Sequence, residues 1–303
     1  NPKFFKRFTG LNIKQFNNLA GRVGPVWECN EIKRLLQKKR KRKIGGGSTY
    51  KLEGIRGKLL VVLLYYKLYC TQELLGMLFD IDQSNISRLI IKMTPILKAI
   101  ADPLLSSIFD KENGTKRIRD IEEIFKICPD LKYVIVDATE SPAQRPKDKD
   151  ERRDYYSGKT KRHTMKHEIV ATFNRRIIRV SNMYPGKVHD KMIIDTEGTI
   201  KEIPETLNII GDLGYNGIQK EQPLRKIIIP PKKPRGSSLS LIQKLIRKLI
   251  SRKRISIEHT IGDLKKFNII KQIFRGRKNS FSTIFKTICA LHNFKLNTNS
   301  NMI

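Results

Sequence analysis

Hydrophobic positions along this chain change their spacing near residue 131. Before that point apolar residues recur at helical intervals; after it, short β-branched runs alternate with helical stretches. Residues 1–50 read as a helical lead-in with Phe4, Phe5, Phe8, Leu11, Ile13 and Phe16 as its apolar content. Residues 51–102 predict three helices. The first covers Gly57 to Leu68, the second Gln72 to Phe79 with Thr71 as its cap, and the third starts at Gln83. Asp82 caps that third helix, because its carboxylate accepts a free first-turn N–H. Ile86, Leu89, Ile90 and Met93 fall at i, i+3, i+4 and i+7 and form a buried stripe. Gln83, Ser84, Asn85, Ser87, Arg88 and Lys92 are left facing outward. Pro95 ends this helix or begins another. Residues 103–130 read as a helical bridge.

From 131 to 303 the pattern predicts strands at Tyr133–Asp137, His167–Phe173, Arg176–Ser181, Leu207–Gly211 and Lys226–Ile229. The segment 141–162 is polar and without period, and reads as a long loop. A turn at Pro185-Gly186 leads to His189-Asp190 and a helix through Ile200. Ser237 or Ser238 caps a helical stretch from Leu239 to about Phe267, with a break near Ser251, and Phe281–Leu296 is a last amphipathic helix. The first strand ends on Asp137. Aspartate is depleted inside strands, so its expected place is the open end, where loops build ligand sites.

Composition sharpens this outline. Sixty-one Lys and Arg stand against 29 Asp and Glu, a formal charge of +32. Such an imbalance concentrates polyanions around a protein, and nucleic acid is the foremost of them. An anionic membrane surface is the weaker alternative, since no apolar run reaches the ~20 residues of a membrane span. Part of the charge sits in Lys38-Lys39-Arg40-Lys41-Arg42-Lys43 before Gly45-Gly46-Gly47, which reads as a flexible basic arm touching phosphates, or as a solvated face. Cys29, Cys70, Cys128 and Cys289 form no CxxC pair and read as reduced, mostly buried thiols. The first residue is Asn1, so the natural start is expected to lie upstream; no signal peptide is visible. These features lead to the expectation of a cytoplasmic protein associated with the nucleoid.

With DNA as the partner, the three helices of 51–102 match a helix-turn-helix reader of the major groove, with Ser84, Asn85, Arg88 and Lys92 on its DNA face. The competing reading is a three-helix bundle whose outer face is merely wet. Three carboxylates then stand out: Asp137 and Asp212 at two strand ends, and Glu258 on the late helix. Phosphoryl transfer with two metal ions ~3.5–4 Å apart needs several hard oxygen ligands of this kind. Taken singly, each has an ordinary alternative: a turn-forming aspartate, or a glutamate paired with Arg254 one helical turn before it. Tyr156, Lys159, Lys161, Arg162 and Lys166 are placed to hold phosphates beside the scissile bond, or form a solvated basic loop. Lys244, Arg247, Lys248, Arg252, Lys253 and Arg254 form a DNA-backbone-binding stripe on the late helix, whose Leu and Ile face reads as core.

At this point the residues carry a family resemblance. Val136-Asp137-Ala138-Thr139-Glu140, Tyr155-Tyr156-Ser157-Gly158-Lys159 and His163-Thr164-Met165-Lys166 come first. Pro185-Gly186-Lys187-Val188-His189-Asp190, Gly211-Asp212-Leu213-Gly214-Tyr215 and Arg254-Ile255-Ser256-Ile257-Glu258 follow in order. Together they resemble DDE transposases of the Harbinger-related insertion-sequence group, over roughly residues 35–295. The resemblance implies an α/β architecture: an RNase H-like catalytic domain with a mixed five-stranded sheet, preceded by an all-α helix-turn-helix domain. It implies that Asp137, Asp212 and Glu258 are catalytic and bind Mg²⁺ or Mn²⁺, with two ions per site. It also implies double-stranded DNA as partner, both element ends and target, and a homodimer when two ends are synapsed. Two alternatives stay open: an inactive or domesticated DNA-binding derivative, and a stand-alone metal-dependent endonuclease.

Overall fold

The computed structural model describes residues 1–37, 51–103 except Glu53, and 131–300 except Arg235 and Ser237, with Leu105, Phe125 and Cys128 between them. The basic run Lys38–Lys43 and nearly all of the expected bridge over 103–130 lie outside the described residues. The chain packs as two compact units that are not consecutive in sequence. One comprises 1–103, 266–272 and 283–303; the other comprises 104–265 and 273–282. The closing segments 266–272 and 283–303, expected within a 131–303 domain, thus group with the N-terminal helices.

The first unit holds helices α1 (Pro2–Thr9), α2 (Ile13–Leu36), α3 (Gly54–Leu68), α4 (Gln72–Phe79) and α5 (Gln83–Ala101). Caps set the helix ends, as the residue types require. Thr71 Oγ1 accepts from Leu74 N at 3.2 Å, and Asp82 Oδ1 accepts from Ser84 N at 2.8 Å. Asn12 and Gln15 close a reciprocal capping box at the start of α2. The α4–α5 turn is tight. A Cβ on Gly76 would stand 2.6 Å from the carbonyl oxygen of Ile81, so only glycine lets the turn close there. Ile86, Leu89, Ile90 and Met93 are buried, as their spacing predicts. Pro95 does not end α5, which continues to Ala101. The Thr94 hydroxyl donates to Ile90 O at 2.6 Å and meets the buried Tyr66 hydroxyl at 2.5 Å, tying the chain down across the proline.

The second unit is built on a seven-stranded sheet among the described residues. Its strands are β1 (Tyr133–Pro142), β2 (Tyr156–Ser157), β3 (Arg162–Ala171), β4 (Ile177–Val180), β5 (Tyr184–Pro185), β6 (Asn208–Ile210) and β7 (Ile227–Ile228). Their order is β2-β3-β1-β6-β7, with β4 and β5 both pairing β3. β1 runs antiparallel to β3 and parallel to β6, and β6 runs parallel to β7. This mixed α/β arrangement is the one the family resemblance implies, with two more short strands than the five expected. Val134, Val136, Val170, Ile178, Ile209 and Ile227 form its core together with Ile194 and Tyr215.

Several expectations about this unit are corrected. β1 does not stop at Asp137 but continues to Pro142, because β3 supplies an antiparallel partner along that whole stretch. The segment 141–162 is not a plain loop: it carries α6 (Lys149–Tyr155), whose N-terminus Asp148 caps. The helix after His189 splits into α7 (Asp190–Glu197) and α8 (Thr199–Glu202), since Gly198 takes the left-handed conformation that ends a helix. The long helix α10 (Leu241–Lys265), which follows the short α9 (Ile218–Glu221), is unbroken at Ser251. Its apolar stripe is only partly core. Ile250, Ile257 and Leu264 are buried, whereas Leu241, Ile242, Leu245, Ile246 and Leu249 are exposed. The chain closes with α11 (Asn268–Lys271) and α12 (Lys278–Ser300). Cys29 is exposed rather than buried.

Candidate active site

Parallel pairing explains why Asp137 is available although it lies within a strand. β6 accompanies β1 only across Tyr133–Ile135, so its ladder ends before Asp137. Asp212 follows the end of β6 on the neighbouring path and caps the short turn Leu213–Tyr215, accepting from Leu213 N at 2.7 Å. Two strands that share a ladder thus deliver their aspartates to the same end of the sheet.

The two carboxylates meet on one guanidinium. Arg254 Nη2 donates to Asp137 Oδ2 at 2.8 Å, and its Nη1 donates to Asp212 Oδ1 at 3.2 Å. Arg254 keeps 12% of its side-chain exposure and Asp137 16%, against 39% for Asp212. Burial pushes the Asp137 carboxyl above its ordinary range, and the Arg254 charge only partly offsets that rise. Arg254, expected to contact DNA phosphates, is thus largely buried between the two aspartates, and its partners are these rather than Glu258. The reason is its place on α10, the helix that packs against β1 with Ile257 fully buried. Its Nε is buried and makes no hydrogen bond among the described residues.

Glu258 is exposed, one helical turn beyond Arg254 on α10. Among the described residues no group of three or more His, Cys, Asp or Glu side chains is placed to hold a metal ion. The predicted trio thus reduces here to a converging pair, with Glu258 exposed on α10 and outside it. The pair itself suits a divalent cation. Two aspartates from separate elements supply hard oxygen donors, and a mostly buried carboxylate such as Asp137 needs a positive partner.

One residue near the pair was missed from the sequence. Lys265, on the last turn of α10, has its ammonium pushed down by burial while Glu140 and Asp137 act on it in the opposite direction. Counting helical turns along α10 from Arg254 through Glu258 would have reached it.

The motif words around the pair are packed together by specific contacts. Lys166, expected to hold a phosphate, is buried. Its ammonium bonds Val188 O at 2.8 Å and Asp190 Oδ1 at 3.0 Å, and lies 3.6 Å from Glu140 Oε1. The inward face of β3 compels this, since a lysine there must find carboxylates. Glu140 also accepts from the hydroxyls of Thr164 at 2.9 Å and Thr160 at 3.2 Å. Two glycines leave room for the cluster. A Cβ on Gly186 would stand 2.1 Å from Thr164 Oγ1, and one on Gly214 would stand 2.9 Å from Asp190 Oδ2. Lys159, Lys161 and Arg162 are exposed around the β2–β3 turn, where Lys161 takes a left-handed φ of 57°. Tyr156 is 44% exposed and stacks edge-on with His163.

A second charged cluster in this unit is largely internal. Arg179 on β4 lies 2.6 Å from Glu202, 3.2 Å from Glu197 and 3.5 Å from Glu168. Thr199 Oγ1 donates to Glu168 at 2.6 Å. Burial pushes Glu168 up to about 7.

On α5, Asn85 and Arg88 are exposed and Ser84 is half-buried. Arg88 Nη1 donates to Asn85 Oδ1 at 3.0 Å. Lys92 is half-buried and paired with Glu31 of α2 at 2.8 Å, so it is less free for DNA than its neighbours.

Comparison with known proteins agrees with these geometries. Residues 136–293 match the family described as DDE superfamily endonuclease. Residues 50–103 match the helix-turn-helix of DDE superfamily endonuclease. A protein of Microchaete diplosiphon, described as "Probable transposase for insertion sequence element IS702", is 30% identical over 292 residues, which is 96% of this chain and 94% of that protein. No solved structure matches. Among the described residues no helix is long and apolar enough to cross a membrane.

Proposed function

Because the chain belongs to the DDE superfamily endonuclease family, we infer that it is a transposase, one that binds the ends of a mobile DNA element, cuts there and joins the cut end to new DNA. The observation that carries this reading is the convergence of Asp137 and Asp212 on a single positive group. Enzymes of this family depend on divalent metal, and the reading takes that metal to be Mg²⁺ or Mn²⁺, as two ions. When bound, the metal supplies Lewis-acid stabilisation of a phosphoryl oxygen and lowers the pKa of the attacking water or hydroxyl. Asp137 and Asp212 would hold it, with Glu258 as the third carboxylate.

The remaining residues have DNA-handling roles in this proposal. Lys159, Lys161, Arg162 and Tyr156 grip phosphates beside the scissile bond, and Ser84, Asn85 and Arg88 read the element end. The division of labour follows the expected domains: recognition by 51–102, catalysis by the domain that starts at 131. Synapsis of two ends calls for a homodimer, and the substrate places the protein at the nucleoid.

Incubation with element-end DNA and Mg²⁺ tests the reading, with the parent compared against Asp137→Asn. Nicking by the parent that disappears in the variant, while DNA binding persists, is the expected result. Joining of the cut end to a second duplex separates transposase from simple endonuclease. One observation favours a binding-only derivative: Arg254 neutralises both aspartates while Glu258 stands apart. Equal or absent nicking in parent and variant would select that second reading.

A further inference from the structure

The recognition helix opens on an amide held by another amide. Gln83 is the first residue of α5 and is exposed. Its Nε2 donates to Oε1 of Gln72, the first residue of α4, at 3.1 Å. A solvent-exposed bond of this kind contributes little to stability, and it costs rotamer freedom in two flexible side chains. Its consequence is orientation.

The bond also decides what Gln83 has left to offer. A glutamine carboxamide carries two N–H donors and one carbonyl acceptor in a plane. With one N–H committed to Gln72, Gln83 keeps a single donor beside a single acceptor. That is the complement of adenine in the major groove, whose N6 amino group donates and whose N7 accepts. Gln72 retains both its own N–H groups, which suit a backbone phosphate oxygen. The first residues of a recognition helix are the ones that reach base edges.

We propose that Gln83 reads an A·T pair in the element end and that Gln72 is the positioning residue that presents it. The inference rests on the reading of residues 50–103 as the DNA-reading head, and it adds a base identity and a second residue to that reading. Gln72, on the helix before, acts on specificity through Gln83. Arg88 provides an internal control. It is tied to Asn85 rather than to Gln72, so it belongs to a separate base contact.

The test is binding-site selection with the full chain from a randomised duplex pool, in chelator so that no strand is cut. The parent is compared with Gln83→Ala, Gln83→Glu, Gln72→Met, the double variant Gln72→Met/Gln83→Ala, and Arg88→Ala. An adenine preference at one position is expected, of roughly 5- to 150-fold. Gln83→Ala erases it and Gln83→Glu turns it toward cytosine, whose N4 amino group a carboxylate accepts. Gln72→Met weakens the preference at the same position, and the double variant is no worse there than Gln83→Ala. The proposal is overturned if Gln83→Ala leaves the base profile intact while Arg88→Ala changes it. It is equally overturned if Gln72→Met lowers affinity evenly on all sequences and leaves the adenine preference at that position untouched. A parent without any sequence preference would instead remove the reading of the helix-turn-helix on which the proposal stands.

Discussion

Two arginines, one in each unit, show how differently the two halves of this molecule hold charge. Arg88 stands exposed on α5 and bonds the neutral amide of Asn85. Arg254 keeps 12% of its exposure and bonds two aspartates at once. At the first site water competes for every hydrogen bond, so the pair orients a side chain and contributes little to folding. At the second, removing one partner leaves mostly buried charge uncompensated, which is far more costly than the pair is favourable. A surface meant to exchange solvent for DNA is best kept cheap to strip. A centre meant to hold charge through a reaction is best kept rigid and dry.

The contrast can be broken most forcefully at Asp137. Asp137→Asn keeps the shape and removes the charge. Nicking of element-end DNA is expected to fall by on the order of 10³-fold or more, with DNA affinity retained in a gel-shift titration. Loss of affinity together with nicking would make Asp137 a folding residue instead.

Arg254→Ala is next. It leaves Asp137 and Asp212 facing each other without their shared cation, and is expected to cost about 2–4 kcal/mol in chemical denaturation without metal. Mg²⁺ should then stabilise the variant more than it stabilises the parent. An equal effect of Mg²⁺ on both proteins would separate the aspartate pair from the metal.

Glu168 sharpens the comparison within the catalytic unit, because it is buried charge of another kind. Its carboxyl is raised from 4.5 to about 7 in the folded protein. Between those values the folded state binds the extra proton, so stability is greatest below the unfolded value and is lost as pH rises through about 7. Glu168→Gln should flatten that slope and leave the variant more stable than the parent at pH 8, by about 2–3 kcal/mol. Thermal unfolding between pH 5 and 8 measures it, and parallel curves for the two proteins would reject the assignment.

Arg88→Ala carries the smallest effect. Specific binding should weaken by roughly 1–3 kcal/mol, and nicking of an already bound end should be unchanged. Uniform weakening on every sequence would mark Arg88 as a phosphate contact.

Much of this was open to reading before any coordinates. Thr71 and Asp82 announce the starts of α4 and α5 because a cap is a local bargain between one side chain and the next turn of backbone. The stripe Ile86, Leu89, Ile90 and Met93 is legible for the same reason, since helical periodicity is carried within a dozen residues. Asp137 and Asp212 are found as acids at the mouths of apolar runs. What escaped depends on partners remote in the chain. β1 passes beyond Asp137 because β3 lies alongside it, and Lys166 turns inward because Asp190 and Glu140 wait there. The exposed Leu241–Leu249 stripe of α10 was mistaken for core, because an amphipathic pattern says that a face is apolar without saying what covers it.

The order of the main elements, the capped starts of α4 and α5 and the residue types able to do phosphoryl chemistry were thus settled within the one-dimensional chain, because caps, turns and periodicity act over a few residues. The partner of each charge was settled only when the chain closed. Arg254 meets Asp137 at a separation of more than a hundred positions, and only burial on the packed sheet makes the aspartates, rather than Glu258 one turn away, the partners it takes.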